Sequence, residues 1–160
     1  MQTPQEIAAE DMIEPYEGWS SFPYKDITGK WTIGYGFTHL PDGTPVDANT
    51  PPISKQTALK WLELNLRSIV NTINANVHVP LTTDEDAALI DFIYNLGEGN
   101  FEASTLLRLL NEGKYKEAAD QFPRWDHANG VVIQGLLRRR LSEQQEFEKP
   151  EGPDNPIVSA

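Results

Sequence analysis

Apolar residues recur at helical spacing along most of the chain and alternate with polar residues in one short segment. In the first helical stretch, Thr3 and Pro4 form a helix start, and Ala9 and Ile13 lie on one apolar face. Because Pro15 lacks a backbone donor, we expect this helix to end or kink there. The pattern therefore predicts an N-terminal helix that stops just before the alternating segment.

Helices are also predicted for most of the chain after residue 53. Ser54 caps a long helix over about 54–77, and Thr82 with Glu85 offers a capping box before the next one. The further predicted helices are 87–96, 104–110, 114–122 and 134–147, with a loop at 125–130. Residues 150–160 are rich in proline and polar residues, so we expect them to form a flexible tail.

The alternating segment runs from Trp31 to Thr38 and predicts a strand. Residues 22–26 are expected to pair with it through a turn at 27–30. One face of the strand is apolar, whereas the other carries only small residues: Thr32, Gly34, Gly36 and Thr38. Because glycine weakens a strand, two of them on one face predict a close approach to the backbone, as by a bound polymer.

This hairpin gathers candidate catalytic groups. Folding brings Asp26 near the face that carries Thr32, and Glu17, at the end of the first helix, enters from one side. Two carboxyl groups in unlike surroundings are the minimum for glycoside hydrolysis, with one as a proton donor and the other ionised. Glu14 is the alternative acid. We expect some of the nearby aromatic residues to exclude water from Glu17: Trp19, Phe22, Tyr24 and Trp31.

The order of these residues resembles a known family, the phage-type lysozymes, which are endolysins of tailed bacteriophages and their prophage relatives. The family's catalytic Glu, Asp and Thr stand at the spacing of Glu17, Asp26 and Thr32. The resemblance covers nearly the whole chain, through Glu17-Gly18, Asp26, Gly29, residues 31–36, Thr38-His39, 87–92, 95–97, 104–107, 125–136 and 139–140.

The resemblance implies an α+β lysozyme-like fold. A small β-hairpin lobe, about 17–53, and a larger helical lobe, about 81–149 plus the N-terminal helix, would be joined by the helix at 54–77, with an active-site cleft between the lobes. Residues 1–149 would form a single domain. We expect a further set of residues to contact substrate: Gly34, Gly36, Thr38, Ser104 and Arg139.

The implied activity is hydrolysis of the β-1,4 bond between N-acetylmuramic acid and N-acetylglucosamine in peptidoglycan, with lysis of the host. Glu17 would be the general acid, Asp26 the ionised group and Thr32 a residue that positions water. A lytic transglycosylase and a catalytically silent peptidoglycan-binding relative are the alternatives. Chitinase activity is a possible side reaction, because chitin has the same type of linkage.

The amino-acid composition argues against several classes of binding partner. The net charge of −11 argues against nucleic acid as a partner, and the three histidines lack metal-ligand spacing, so we expect neither metal nor cofactor. The chain has no cysteine and no apolar run long enough to span a membrane. We therefore expect a monomer that is made in the host cytoplasm without an export signal and acts on the wall after release to the periplasm.

The run Arg138 to Arg140 is the only basic cluster in this acidic chain. Successive helical positions point about 100° apart, so the three side chains cannot all serve one partner. We expect at least one of them to pair with Glu143 or Glu146 on the same helix. Arg139 or Arg140 is the candidate to face the site.

Overall fold

The structure is a computed structural model that describes residues 2–159. The chain forms two compact units. Unit 1 comprises Met1–Glu10 and Leu66–Ala160, and unit 2 comprises Asp11–Asn65. The described residues combine helices with small antiparallel sheets, which is the predicted α+β class.

Helices make up most of the chain described. Their bounds are α1 (Pro4–Glu17), α2 (Lys55–Asn76), α3 (Thr83–Leu96), α4 (Glu98–Glu102), α5 (Thr105–Asn111), α6 (Tyr115–Ala119), a 3₁₀ turn (Phe122–Arg124) and α7 (Gln134–Phe147). Between residues 2 and 159, no helix has the length and apolar character needed to cross a bilayer.

The strands are β1 (Ser20–Lys25), β2 (Trp31–Gly34), β3 (Leu81–Thr82), β4 (His127–Ala128), β5 (Val131–Val132) and β6 (Ile157–Ser159). They form three antiparallel pairs: β1 with β2, β3 with β6, and β4 with β5.

The predicted caps of α2 and α3 are confirmed. Ser54 Oγ accepts the Thr57 N–H at 3.1 Å. Thr82 Oγ1 accepts the Glu85 N–H at 3.1 Å, and Glu85 Oε1 accepts the Thr82 N–H at 2.7 Å, which completes the capping box. These bonds satisfy backbone donors that the first turn of a helix leaves free, so they fix where each helix begins.

We expected α1 to end or kink at Pro15; an end there is wrong, because the helix continues to Glu17. Pro15 lies in the last turn of α1. The N–H that it lacks removes one backbone hydrogen bond near the end of the helix, and the rest of α1 is unaffected. The helix ends instead at Gly18, which adopts φ +66° and donates its N–H to Glu14 O at 3.0 Å. Glycine reaches this left-handed conformation without strain, so the Glu17-Gly18 pair places Glu17 at the helix terminus, as expected.

The core of unit 1 is built around α3 and α7. The ring of Phe92 meets two other rings edge to face. Its centroid lies 5.6 Å from that of Trp125 and 5.5 Å from that of Phe122. Phe147 packs on Phe122 at 5.5 Å. This aromatic cluster joins the end of α7 to the centre of α3.

The flexible tail predicted for 150–160 is wrong over the residues described. Strand β6 pairs with β3, and Asn155 is buried with its Oδ1 accepting the Asp84 N–H at 2.8 Å. Pro156 O accepts the Thr83 N–H at 2.9 Å. Backbone hydrogen bonds, rather than apolar burial, hold this segment at the start of α3.

The loop predicted for 125–130 is also wrong, because β4 and β5 pair across a tight turn there. Asn129 and Gly130 occupy the turn with φ +53° and +78°. Asn-Gly is the pair that such two-residue hairpin turns favour.

Candidate active site

The register of the β1–β2 hairpin decides which side chains share a face. Tyr24 lies opposite Thr32, and Lys25 lies opposite Trp31. Lys25 Nζ sits 5.5 Å from the centre of the Trp31 ring, so this pair occupies one face together. Since side chains alternate along a strand, Tyr24 lies on the opposite face. Because β1 ends at Lys25, Asp26 is the first residue beyond the strand, and continued alternation would put its side chain on the side of the hairpin that carries Thr32.

Asp26 is held by the turn that it opens. Its Oδ1 accepts three hydrogen bonds: from the Thr28 N–H at 2.8 Å, the Thr28 hydroxyl at 2.7 Å and the Lys30 N–H at 2.9 Å. Burial alone would raise the pKa of Asp26, but the bonds from Thr28 and Lys30 outweigh it and lower the pKa. Asp26 is therefore ionised at neutral pH, with all three bonds on one oxygen.

Thr32 is buried, with 3% of its surface exposed. Its hydroxyl donates to Lys30 O at 3.0 Å. Because a hydroxyl has a single proton, that bond leaves Oγ1 with lone pairs that accept hydrogen bonds.

The strand predicted from Trp31 to Thr38 ends early, at Gly34. Ile33 and Phe37 exchange two backbone hydrogen bonds of 2.9 Å, so the chain reverses between them. Gly34 and Gly36 have φ +66° and +80°, which strands do not adopt. Alternation of apolar residues was the wrong signal here, because these two glycines form a turn rather than a bare strand face.

The turn creates a seat for the Glu17 side chain. A Cβ atom added to Gly36 would lie 2.1 Å from Glu17 Oε2 and 2.9 Å from its Cδ, so the carboxyl group occupies the space that any side chain at 36 would need. The group that approaches this backbone closely is thus Glu17, whereas the sequence suggested a bound polymer. The contact also favours Glu17 over Glu14 as the acid at the hairpin.

Tyr24 was named from the sequence only as one of the aromatic residues that could exclude water from Glu17. Partial burial raises the pKa of its hydroxyl, and the negative charges of Glu17 and then Asp26 raise it further. The phenol therefore lies in the field of both carboxylates. Its position two residues before Asp26 is the signal that could have identified it.

The other predicted substrate contacts have varied surroundings. The Thr38 hydroxyl lies 3.1 Å from His39 Nδ1 and is half-buried. The Ser104 hydroxyl caps α5, where it accepts the Leu107 N–H at 3.0 Å and donates to Phe101 O at 2.6 Å. This capping role accounts for Ser104 without a ligand.

Arg139 belongs to the core of unit 1. It is 4% exposed and donates to both oxygens of Asp91, from Nε at 3.1 Å and from Nη2 at 2.8 Å. Such burial argues against the predicted contact with substrate. Arg140 is fully buried and pairs with Glu143 on the same helix at 2.6 Å, which is the kind of pairing expected for at least one of the three arginines.

Comparison with known proteins places the chain among lysozymes. The phage lysozyme family model matches residues 14–143, which include Glu17, Asp26 and Thr32. The SAR-endolysin of Enterobacteria phage PA-2 is 37% identical over 129 residues, which are 81% of this chain and 75% of that protein.

Two solved structures share the fold. The endolysin from Escherichia coli O157:H7 phage FAHEc1 is 29% identical with a TM-score of 0.80, covering 91% of this chain and 94% of that one. The muramidase domain of SpmX from Asticaccaulis excentricus is 32% identical with a TM-score of 0.77, covering 94% of this chain and 100% of that one. The chain belongs to the phage lysozyme family and is a glycoside hydrolase of the lysozyme type.

Proposed function

We propose that this protein is an endolysin that hydrolyses the β-1,4 bond between N-acetylmuramic acid and N-acetylglucosamine in bacterial peptidoglycan. The observation that supports the proposal is that the Glu17 carboxyl group lies against Gly36, just after β2, while Asp26 opens the turn that joins β1 to the strand of Thr32. An acid and an ionised carboxylate placed together are what hydrolysis of a glycosidic bond requires.

In this mechanism Glu17 donates its proton to the glycosidic oxygen, and the bond to the leaving sugar breaks. A water molecule attacks the anomeric carbon and gives its proton to Asp26. Asp26 Oδ1 already accepts three bonds within the turn, so Oδ2 is the oxygen that we assign to the water. The donors on Oδ1 keep Asp26 ionised, so Oδ2 is available to accept the proton of the water.

Thr32 provides a second hydrogen-bond acceptor that orients the water. Since its hydroxyl proton is given to Lys30 O, Oγ1 accepts one hydrogen of the water while Asp26 accepts the other. The lone pairs of the water then point away from both groups, and one of them faces the sugar. Attack by water from this side inverts the anomeric configuration.

The rival reactions use fewer of these groups. A lytic transglycosylase needs one acid and makes an anhydro product, and a silent binder needs none. The three donors that hold Asp26 in its charged form favour hydrolysis, because a transglycosylase would have no use for that charge. We further propose that the protein acts as a monomer on glycan strands in the periplasm, after synthesis in the cytoplasm.

The test is to digest isolated peptidoglycan with the purified protein and analyse the soluble products by mass spectrometry. We expect reducing N-acetylmuramic acid ends, and we expect Glu17→Gln and Asp26→Asn each to lower turnover by about 10²–10⁴-fold. Anhydro ends with an active Asp26→Asn variant would show a transglycosylase, and an absence of products would show a silent binder.

Two control variants separate chemistry from local structure. Asp42 also opens a turn, with its Oδ1 accepting the Thr44 N–H at 2.9 Å, and hydrogen bonds from Thr44 likewise lower its pKa. Asp42→Asn should leave turnover within about twofold of wild type, and so should Glu14→Gln on the exposed side of α1. Equal losses in these controls would contradict the assignment.

A further inference from the structure

The turn that seats Glu17 is packed from the other side by the ring of Phe37. Ile33 and Phe37 exchange two backbone hydrogen bonds of 2.9 Å and so form the base of the turn that contains Gly34 and Gly36. A Cβ atom added to Gly34 would lie 2.6 Å from both Cδ2 and Cε2 of Phe37. The ring therefore fills the space against Gly34, just as the Glu17 carboxyl group fills the space against Gly36.

The Phe37 side chain is enclosed by other rings as well. It meets the ring of Tyr35 edge to face with centroids 6.4 Å apart, and it packs on Trp61 of α2 at 6.0 Å. Only 4% of its surface is exposed. Because buried side chains are packed at nearly the density of a crystal, a change in the size of this ring is transmitted to the turn that it supports.

Tyr35 connects the same turn to the end of α1. It is 3% exposed, and its ring packs on Trp19 with centroids 5.6 Å apart. Trp19 follows Glu17 by two residues. Four rings of unit 2 therefore form a continuous row from the end of α1 through the turn to α2, in the order Trp19, Tyr35, Phe37 and Trp61.

We propose that Phe37 is a positioning residue for the general acid, because its ring fixes the turn at Gly34 and thereby fixes Gly36 against the Glu17 carboxyl group. The proposal rests on the proposed function, since it assigns Phe37 to the acid of that reaction. Phe37 has no polar group and is buried, so it acts on catalysis only through its neighbours.

The expected effect is on the chemical step rather than on binding. A displacement of about 1 Å in a catalytic group lowers turnover by about 100-fold. Glu17 transfers its proton only in the transition state, so a displaced Glu17 lowers kcat, whereas KM reflects binding of the substrate before that step.

Phe37→Leu tests the proposal, because it keeps an apolar side chain but leaves part of the space of the ring empty. With soluble, uncross-linked glycan strands as substrate, we expect kcat to fall by about 10- to 100-fold and KM to stay within about twofold of wild type. Phe37→Met is a milder variant whose flexible side chain refills more of the space, so its kcat should lie between those of Phe37→Leu and wild type. Melting temperatures verify that each variant is folded at the assay temperature, and Phe37→Met replaces Phe37→Leu if the latter is not.

Phe122→Leu in unit 1 is the matched control. Phe122 is also fully buried and also packs on two rings, those of Phe92 and Phe147, at 5.5 Å each. Its substitution should lower the melting temperature about as much as Phe37→Leu does, because both leave a cavity in a core. Its kcat should stay within about twofold of wild type, and an equal loss of kcat in both variants would overturn the proposal.

A second measurement separates positioning of the acid from any other role of the ring. If Phe37 acts through Glu17, adding Phe37→Leu to Glu17→Gln should cause no further loss of the residual turnover, measured from the products of prolonged digestion. Added to Asp26→Asn, which keeps the acid, Phe37→Leu should lower turnover about as much as it does in the wild type.

The outcomes distinguish the two proposals. If Glu17→Gln and Asp26→Asn lose turnover while the folded Phe37 variants keep wild-type kcat, the role of Phe37 is wrong and the proposed function stands. The same conclusion follows if Phe37→Leu raises KM alone, or if it costs as much in the Glu17→Gln background as in the wild type. If Glu17→Gln keeps turnover, the proposed function itself fails.

Discussion

Asp26 in the hairpin of unit 2 and Asp91 in α3 of unit 1 both carry a negative charge, but they keep it by different means. Asp26 lies in an accessible turn, where hydrogen bonds from Thr28 and Lys30, with the positive charge of Lys30, lower its pKa. Asp91 is fully buried, and burial alone would raise its pKa. Bonds from Glu143 and Arg139, with the positive charge of Arg139, reverse that effect and lower it.

Asp86 shows what happens when a buried carboxyl group has no such partner. It is 1% exposed, and burial together with the nearby Glu6 raises its pKa to about 7. The comparison teaches that water supplies most of the stabilisation of a charge at the surface, whereas a buried charge depends on a cation. The charge of Asp26, for which we propose a catalytic role, is therefore compatible with a stable fold at little cost.

The largest effect expected from this comparison is the loss of the buried pair. Asp91→Ala leaves the Arg139 guanidinium without its bidentate partner, and we expect the free energy of unfolding to fall by about 3–5 kcal/mol. Urea denaturation of the wild type and the variant measures this change in the free energy of unfolding. Asp120→Ala is the control, because Asp120 pairs with Lys116 at the surface at 3.0 Å and should cost less than about 1 kcal/mol. Similar losses in both variants would contradict the distinction.

The hairpin should show the reverse behaviour, with activity more sensitive than stability. Gly36→Ala places a methyl group where the Glu17 carboxylate lies, and a displacement of about 1 Å in a catalytic group lowers turnover by about 100-fold. Gly43→Ala is the matched control, because Gly43 has φ +88° and open space around its Cα. Both variants strain the backbone by about 1–2 kcal/mol, so only Gly36→Ala should lose turnover. Equal activity in both would show that Glu17 tolerates the methyl group.

The smallest effect expected is a pH dependence of stability from Asp86. Its pKa is raised from 3.8 to about 7 in the folded protein, so the folded state binds more protons than the unfolded state between those values. Stability therefore falls as pH rises through this range and levels off above about pH 7. We expect about 2 kcal/mol between pH 5 and pH 7.

Chemical denaturation at several pH values measures this slope. Asp86→Asn should remove it, and Glu6→Gln should reduce it because the neighbouring charge is gone. A slope that is unchanged in Asp86→Asn would show that another group is responsible.

Features decided within a few residues were predictable from the sequence. The cap at Ser54 and the capping box of Thr82 and Glu85 form between residues three positions apart. Both partners of each hydrogen bond are therefore visible in a short stretch of sequence. The turn between β1 and β2 was predictable for a related reason, because its hydrogen bonds join Asp26 to residues within four positions.

Features that depend on distant partners were not predictable from the pattern. Arg139 finds Asp91 across 48 positions of the chain, and the segment from Asn155 caps α3 from 71 positions away. The residues that surround Arg139 or Asn155 in the sequence do not indicate which distant residue each of them will contact.

The sequence by itself determined most of the longer helices, the caps of α2 and α3 and the set of residues that a glycoside hydrolase needs. Only the tertiary structure decided that β2 ends at Gly34, that Glu17 occupies the space beside Gly36 and that Tyr24 lies in the field of two carboxylates. The physical reason is that propensity and alternation act between neighbours, whereas the position of a side chain such as Glu17 depends on how separate elements pack once the chain has closed the loops between them.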